Sequence, residues 1–202
     1  MQGSLEAINN ELNDVQARRE KLIKGTRDIV MLCSKSIVAL HHDQIEDAKN
    51  KMREAKTMLV QLREHAKEDL CRYISVAEQE LVEAYALQAV MENASIPSTQ
   101  DLDVTGPSYL TGLLDCVGEI KRLVYDRMRS GNEKDAEKLF VTMEEIYNAV
   151  YPFAVYDNIV SGLRKKLDVA RILIEDIRAV VTEESRRKAF MNAIEGLEKK
   201  RG

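Results

Sequence analysis

The sequence contains no tryptophan, only three prolines and nine glycines, and aromatic residues make up 5% of its 202 residues. A β-sandwich, a β-barrel or a loop-rich fold uses more turn-forming and aromatic residues than this. Ala, Leu, Glu, Lys, Arg and Met are common instead, and these residues lose little conformational freedom in a helix. The composition therefore predicts an all-α protein.

Cysteines and long apolar runs are also scarce. Cys33, Cys71 and Cys116 are far apart, and no CxxC or CxxH spacing is present, which excludes a disulfide framework and a zinc site of the usual kind. No apolar run approaches the ~18 residues that a bilayer span requires, and the N-terminus is unlike a signal peptide. We therefore expect a soluble, cytoplasmic protein with buried thiols and no membrane contact.

Apolar residues repeat every three or four positions along most of the chain, the period of an amphipathic helix. The predicted helices cover about residues 5–40, 45–66, 74–93, 108–129, 133–150 and 156–181, and an amphipathic tail follows. Two of the three prolines lie in the expected main loop at about 94–108, with Ser108 as the N-cap of the next helix. A chain of this length fits one domain, expected over residues 1–202.

The last long helix has the most regular pattern. From Tyr156 to Val181 its apolar residues are spaced four and three apart in turn, which is a heptad seam. A second apolar face flanks this seam and consists of Ile159, Val169, Leu173 and Val180. Because one face is enough to pack the helix in its own bundle, the second face favours contact with another copy of the chain. We expect a homo-oligomer.

Sequence motifs for several common chemistries are missing. The chain has no phosphate-binding GxxxxGK[ST] loop, no GxGxxG, no HExxH and no GxSxG. Its three histidines are expected at the protein surface. Nucleophilic catalysis and zinc chemistry are therefore disfavoured, and carboxylates remain as the candidate reactive groups.

Two acidic pairs each share one face of a predicted helix: Glu80 with Glu83, and Asp115 with Glu119. Like charges at these spacings destabilise a helix by about 0.2–0.5 kcal/mol per pair, and a bound cation reverses that effect. Oxygen ligands suit Mg²⁺ or Mn²⁺, which can activate water for attack on a phosphodiester. Gly118, beside the second pair, allows close approach of a backbone or ligand. With 34 acidic residues in the chain, however, solvated acidic faces explain such pairs more often.

The net charge of −4 excludes a polybasic nucleic-acid binder of the histone kind, but basic residues cluster locally. The cluster in the first predicted helix comprises Arg18, Arg19, Lys21, Lys24 and Arg27, and that in the last comprises Arg164, Lys165, Lys166 and Arg171. Each is either a solvated helix face or a contact for phosphates. No aromatic residues are interleaved with them, so a bound nucleic acid would be read through its backbone.

Residues 109–122, YLTGLLDCVGEIKR, resemble the YLxGvxDxxGElxR stretch of the translin family. The match is closest to the catalytic branch of that family, translin-associated factor X. Residues 79–84 resemble the segment that carries the other two acidic residues of this branch. Residues 18–29 resemble the basic first helix of the family, and residues 162–167 resemble the start of its long late helix. The likeness thus covers most of the chain in the order of the helices.

The resemblance implies a seven-helix α-α bundle whose subunits join into a closed, barrel-like octamer with an interior cavity. It also implies an endoribonuclease that cuts single-stranded RNA with Mg²⁺ held by acidic residues. Carried over by position, the catalytic and metal-binding residues are Glu80, Glu83, Asp115 and Glu119. The residues that face RNA are Arg18, Arg19, Lys24 and Arg27.

Two alternatives stay open beside the nuclease. One is a non-catalytic oligomer that binds single-stranded RNA or DNA, as translin itself does, and the other is a purely structural helical oligomer. Translin lacks an acidic residue at the position of Asp115, so Asp115 favours the catalytic branch. The chain is shorter than factor X, lacks its basic nuclear-targeting N-terminus, and has Ser108 where the family often has an acidic residue. These differences predict a minimal, archaeal-type homo-oligomer.

Overall fold

The computed structural model describes residues 1–198, with the side chains of residues 68, 69 and 198 left aside. Within this range the α-helices are α1 (Gln2–His41), α2 (Ile45–Arg63), α3 (Ser75–Met91), α4 (Thr99–Leu102), α5 (Gly106–Arg129), α6 (Glu133–Val150) and α7 (Leu163–Glu198). Two 3-10 segments, Glu68–Tyr73 and Tyr151–Tyr156, precede α3 and α7. The prediction of an all-α fold with seven helices is confirmed. No described helix is apolar enough over a sufficient length to cross a membrane.

The loop predicted at residues 94–108 differs from the structure in two ways. It contains the one-turn helix α4, whose N-cap Ser98 exchanges hydrogen bonds with Asp101: Asp101 N donates to Ser98 Oγ at 3.1 Å, and Ser98 N donates to the Asp101 carboxylate at 2.9 Å. Helix α5 already begins at Gly106, so the prediction that Ser108 is its N-cap is wrong. The buried Ser108 hydroxyl instead donates to the carbonyl oxygen of Ser75 at 3.3 Å.

The first compact unit covers Met1–Leu113 and is built on α1, α2 and α3. Its largest fully buried apolar side chains come from all three helices and are Leu22, Ile29, Leu40, Met52, Leu59, Leu81 and Leu87. The first turns of α1 lie outside this core, because Leu5, Ile8 and Leu12 are 58%, 50% and 61% exposed. Helix α1 is therefore longer than the packing within its own unit requires.

The cysteines differ in environment. Cys33 and Cys116 are buried, as predicted, whereas Cys71 lies exposed in the 3-10 segment Glu68–Tyr73. The prediction of buried thiols is therefore wrong at Cys71. Its position in a short connecting segment, rather than on the inner face of a helix, explains the difference.

Gly112 permits a close approach of α5 to α3 within the first unit. A Cβ atom at this position would lie 2.5 Å from the carbonyl oxygen of Gln79 and 2.7 Å from Val82 Cβ. The contact is with backbone and with a branched side chain, so the neighbours cannot simply rotate away. Gly112 thereby fixes the first turns of α5 against the helix that carries Glu80 and Glu83.

We expect Gly112→Ala to lower the free energy of unfolding by about 1–3 kcal/mol, the usual effect of overpacking a core. Gly118→Ala is the matched control on the same helix, because a Cβ there would meet only Leu173 Cδ1 at an ordinary 3.9 Å. The free energy of unfolding of that variant should rise by up to about 1 kcal/mol, since alanine is the better helix former. Urea unfolding followed by circular dichroism measures both, and a stabilised Gly112→Ala would contradict the steric account.

The second unit begins at Leu114 and contains the rest of α5 together with α6 and α7, which pack against each other. The seam predicted on the last helix is buried from Val160 to Ile177. Tyr156 is 50% exposed because it lies in the 3-10 segment before α7. The predicted tail is the continuation of α7 rather than a separate helix. Of the second apolar face, Ile159 and Val169 remain 71% and 48% exposed.

Candidate acidic and basic sites

The first acidic pair lies on α3 in the first unit. Glu80 and Glu83 are one helical turn apart and half-buried, between the fully buried residues Leu81, Val82 and Ala84. Burial raises the pKa of the Cys33 thiol from 9.0 to about 12, and the negative charges of Glu80 and Glu83 act in the same direction. Both carboxylates are therefore close enough to Cys33 of α1 for their charges to act on its thiol.

The second acidic pair lies on α5, within the second unit. Asp115 and Glu119 are four residues apart on one side of the helix, and both are half-buried. Lys166 of α7 donates a hydrogen bond from Nζ to Asp115 Oδ1 at 2.5 Å, with the two side chains 31% and 26% exposed. The sequence placed Lys166 only in a basic cluster, whereas the structure makes it the partner of Asp115.

The two pairs belong to different units, Glu80 and Glu83 to the first and Asp115 and Glu119 to the second. Each supplies only carboxylate oxygens, the donors that Mg²⁺ and Mn²⁺ prefer, and a few such groups with several waters satisfy these ions. Across residues 1–198, no group of three or more His, Cys, Asp or Glu side chains is arranged to hold a metal ion. The donor chemistry of each pair fits the ion, and the four-residue metal site stays a prediction.

The predicted RNA-facing residues of α1 do not share one face. Successive residues of an α-helix are rotated by about 100°, so Arg18 and Arg27, nine positions apart, point in opposite directions. Arg18 and Arg19 are half-buried beside the core, whereas Lys24 and Arg27 are exposed. Arg18 Nε pairs with Asp14 Oδ2 at 2.8 Å. The basic cluster of the sequence is therefore two pairs with different surroundings.

An aromatic residue lies directly beside this cluster, although the sequence showed none nearby. Arg19 Nε donates a hydrogen bond to the Tyr73 hydroxyl at 2.9 Å, and Arg19 Cζ lies 5.5 Å from the centre of the Tyr73 ring. Arg72 Cζ lies 5.3 Å from the same centre. No aromatic residue is interleaved with the basic residues of α1 in the sequence, and the structure supplies one from another element. Since Tyr73 is 54 positions from Arg19, no local spacing could have revealed the pairing.

A buried carboxylate organises the segment that leads into α5. Glu78 is 1% exposed, and its carboxylate accepts hydrogen bonds from Arg63 Nη2 at 2.9 Å, from Thr105 N at 3.2 Å and from Thr105 Oγ1 at 2.6 Å. Arg63 also binds the carboxylate and the carbonyl oxygen of Asp103. Helices α2 and α3 are thus tied to the start of α5 through one charged group, two residues before Glu80.

Known proteins resemble this chain over most of its length. Residues 17–183 match the model of the Translin family. An uncharacterized protein of Methanocaldococcus jannaschii is 31% identical over 174 residues, which are 85% of this chain and 78% of that protein.

Solved structures share the fold over nearly the whole chain. AfC3PO and its complex with duplex RNA superpose with TM-scores of 0.85 and 0.86 and are 32% identical in sequence. Both alignments cover 92% of this chain, with 99% and 98% of the respective AfC3PO chains. Apo-NeC3PO superposes with a TM-score of 0.78 at 23% identity, over 88% of this chain and 95% of its own, which shows a likeness of fold.

Proposed function

This chain belongs to the translin family, and from that premise we propose that it is a metal-dependent endoribonuclease that cuts single-stranded RNA inside an oligomeric cavity. The observation that carries the proposal is the acidic residue at position 115, within a motif that the non-catalytic branch does not complete. Asp115 lies on α5 one turn before Glu119, and the hydrogen bond from Lys166 orients its carboxylate.

The proposal assigns metal binding to Glu80, Glu83 and Asp115, with Glu119 holding the ion or a bound water. Mg²⁺, or Mn²⁺ in its place, supplies an activated water and stabilises the charge that develops on the phosphodiester. The contribution of the chain is to present carboxylate oxygen ligands on helices. The close contact at Gly112 and the buried Glu78 support this role, because both restrain the segments that carry the carboxylates.

The complex of AfC3PO with duplex RNA supports RNA as the partner. In this proposal the RNA phosphates are contacted by Arg18 and Arg19 on one side of α1 and by Lys24 and Arg27 on another, and such contacts weaken as salt concentration rises. An octamer of identical chains is proposed as the assembly, supported by the apolar residues that the single chain leaves exposed on α1 and near the start of α7. These include Leu5, Leu12, Ile159 and Val169.

The same complex also favours a second candidate, a non-catalytic RNA-binding oligomer. AfC3PO was solved with duplex RNA, and binding of a duplex requires phosphate contacts but no cleavage. The two candidates share the α1 contacts and differ only in what the carboxylates do.

One experiment separates the candidates. End-labelled single-stranded and duplex RNA are incubated with the purified chain in Mg²⁺, and retained RNA and RNA fragments are recorded side by side. The proposal predicts retention of RNA and fragments from the single strand. Retention without fragments in either Mg²⁺ or Mn²⁺ would favour the second candidate. Neither retention nor fragments would contradict both and leave the structural oligomer.

A further inference from the structure

One lysine of the second unit holds a carboxylate of the proposed metal site in the way a cation would. Lys166 of α7 donates from Nζ to Asp115 Oδ1 of α5 at 2.5 Å. The two side chains are 31% and 26% exposed, so water screens their attraction only in part. The ammonium group therefore brings positive charge to an oxygen that the proposed function assigns to a divalent ion.

The start of α7 determines where this ammonium group lies. Leu163 and Leu167 are 0% and 4% exposed, and Lys166 between them is half-buried, whereas the nearby Arg164 is exposed. Asp157 caps the helix, because its Oδ1 accepts a hydrogen bond from Arg164 N at 2.8 Å. The buried leucines and the cap fix the first turn, and Lys166 extends from that turn to α5.

This first turn is an unfavourable place for a lysine within its own helix. The backbone N–H groups give the N-terminus of a helix a partial positive charge, which repels a cation nearby. Besides the cap at Asp157, compensation comes from α5, where Asp115 accepts the hydrogen bond of Lys166. Glu119 lies one turn further along the same side of α5. Lys166 and the acidic pair of α5 thus offset each other's charge.

A divalent ion and this ammonium group compete for the same carboxylate. Both are cations, and two cations close to one carboxylate repel each other. Mg²⁺ has twice the charge of an ammonium group but gives up its water reluctantly. The lysine has a flexible stem and, at 31% exposure, can return its ammonium group to water when it is displaced. Lys166 therefore opposes binding of the ion without blocking it.

We propose that Lys166 is an internal counterion of the metal site, which neutralises Asp115 without the divalent ion and lowers the affinity of the site for that ion. This role rests on the proposed metal-dependent function and deepens it, because Lys166 then sets how much free metal the site requires. It differs from orientation of Asp115 alone, since a residue that only orients a metal ligand strengthens metal binding.

The test measures Mn²⁺ affinity of the metal-stripped chain from the electron paramagnetic resonance signal of the free ion. Lys166→Met and Lys166→Gln should each bind Mn²⁺ about tenfold more tightly than wild type, the scale of one charge-assisted hydrogen bond. Lys166→Gln keeps a donor for Asp115 without the charge, so a gain in both variants assigns the effect to charge. Lys165→Met is the matched control, because Lys165 is the exposed neighbour and its loss should change the affinity by no more than about twofold.

Thermal unfolding gives a second readout with the opposite sign. Without metal, Lys166→Met should unfold at a lower temperature than wild type, because Asp115 and Glu119 lose a compensating charge. Added Mn²⁺ should then raise the midpoint by more than in wild type. A merely misfolded variant would not combine lower stability without metal with tighter metal binding. In an Asp115→Asn background, Lys166→Met should leave the Mn²⁺ affinity unchanged, because the carboxylate for which the two cations compete is gone.

Three results would overturn the role of Lys166 as a counterion. A Mn²⁺ affinity of Lys166→Met equal to or below that of wild type would show that Lys166 does not compete with the ion. An equal gain in Lys165→Met would show a general effect of net charge, and the same gain in the Asp115→Asn background would place the competition elsewhere. If neither wild type nor Lys166→Met binds Mn²⁺, the proposed metal-dependent function itself fails, whereas binding by wild type with no gain in Lys166→Met contradicts the counterion role alone.

Discussion

Asparagine in place of Asp115 is expected to lower the rate of Mg²⁺-dependent RNA cleavage by at least about 100-fold, while RNA binding is retained. The amide keeps the shape of the side chain, and its oxygen can still accept the hydrogen bond from Lys166, so α5 should fold as before. What is lost is the negative charge of an oxygen ligand. Removing one preorganised electrostatic group from an active site commonly lowers the rate by about 10²–10³.

The measurement is single-turnover cleavage of labelled RNA with enzyme in excess, because product release then does not limit the rate. Asp176→Asn is the matched control. Asp176 lies on α7 and also accepts a hydrogen bond from a lysine, Lys121 Nζ at 2.6 Å, but it has no place in the proposed site. The Asp176→Asn variant should cleave RNA at the wild-type rate. Full activity in Asp115→Asn, or an equal loss in Asp176→Asn, would contradict the assigned role of Asp115.

Glu78→Ala is expected to lower the free energy of unfolding by about 3 kcal/mol, the lower end of the range for removing one partner of a buried ion pair. The lower end applies because Arg63, whose side chain is 24% exposed, keeps access to water and its contacts with Asp103. The larger part of the effect comes from Thr105, whose amide and hydroxyl both lose their acceptor. Glu78→Gln should lower the free energy of unfolding by less, because the amide oxygen can still accept a hydrogen bond from Thr105.

Urea unfolding at one fixed protein concentration measures these variants, since assembly would make stability depend on concentration. Glu54→Ala on α2 is the control, because Glu54 is exposed and its replacement should change the free energy by no more than about 0.5 kcal/mol. If Glu78→Ala unfolds at the same urea concentration as Glu54→Ala, Glu78 does not hold the segment before α5.

Most of the long helices were predictable because they bury one side, and that burial leaves a period in the sequence; α3 differs in that it is buried on most sides. Helix α6 begins and ends at the predicted residues, Glu133 and Val150. The one-turn helix α4 is too short to show a period, although Ser98 and Asp101 form a recognisable cap. The start of α5 was predicted two residues late, because the prediction made Ser108 its N-cap, whereas Pro107 already lies in the first turn, where proline is favoured.

The candidate sites were predictable only where they depend on spacing along one helix. Glu80 with Glu83 and Asp115 with Glu119 share helix faces, which a spacing of three or four residues determines. Hydrogen-bond partners from other elements were not predictable in this way. Lys166 is 51 positions from Asp115, and Tyr73 is 54 positions from Arg19. Such pairs depend on how helices pack, and one sequence carries no local signal for them.

Glu78 is a further residue whose role the sequence alone did not indicate. Its charge and its position beside Gln79 and Glu80 gave no reason to distinguish it from the other acidic residues of the third predicted helix. Burial separates it from them, because Glu78 is enclosed while Glu80 and Glu83 are half-buried. The carboxylate with a structural role and those with a proposed catalytic role are therefore told apart by solvent access, which depends on the packed fold.

The proposed function depends most directly on whether RNA cleavage by the wild-type chain requires a divalent ion. The decisive measurement is the rate of fragment formation from single-stranded RNA as free Mg²⁺ is removed with a chelator and then restored. We predict that cleavage falls to the uncatalysed background in chelator and returns in full when Mg²⁺ is restored. Cleavage that continues unchanged in excess chelator, or no cleavage at any Mg²⁺ concentration, would contradict the account.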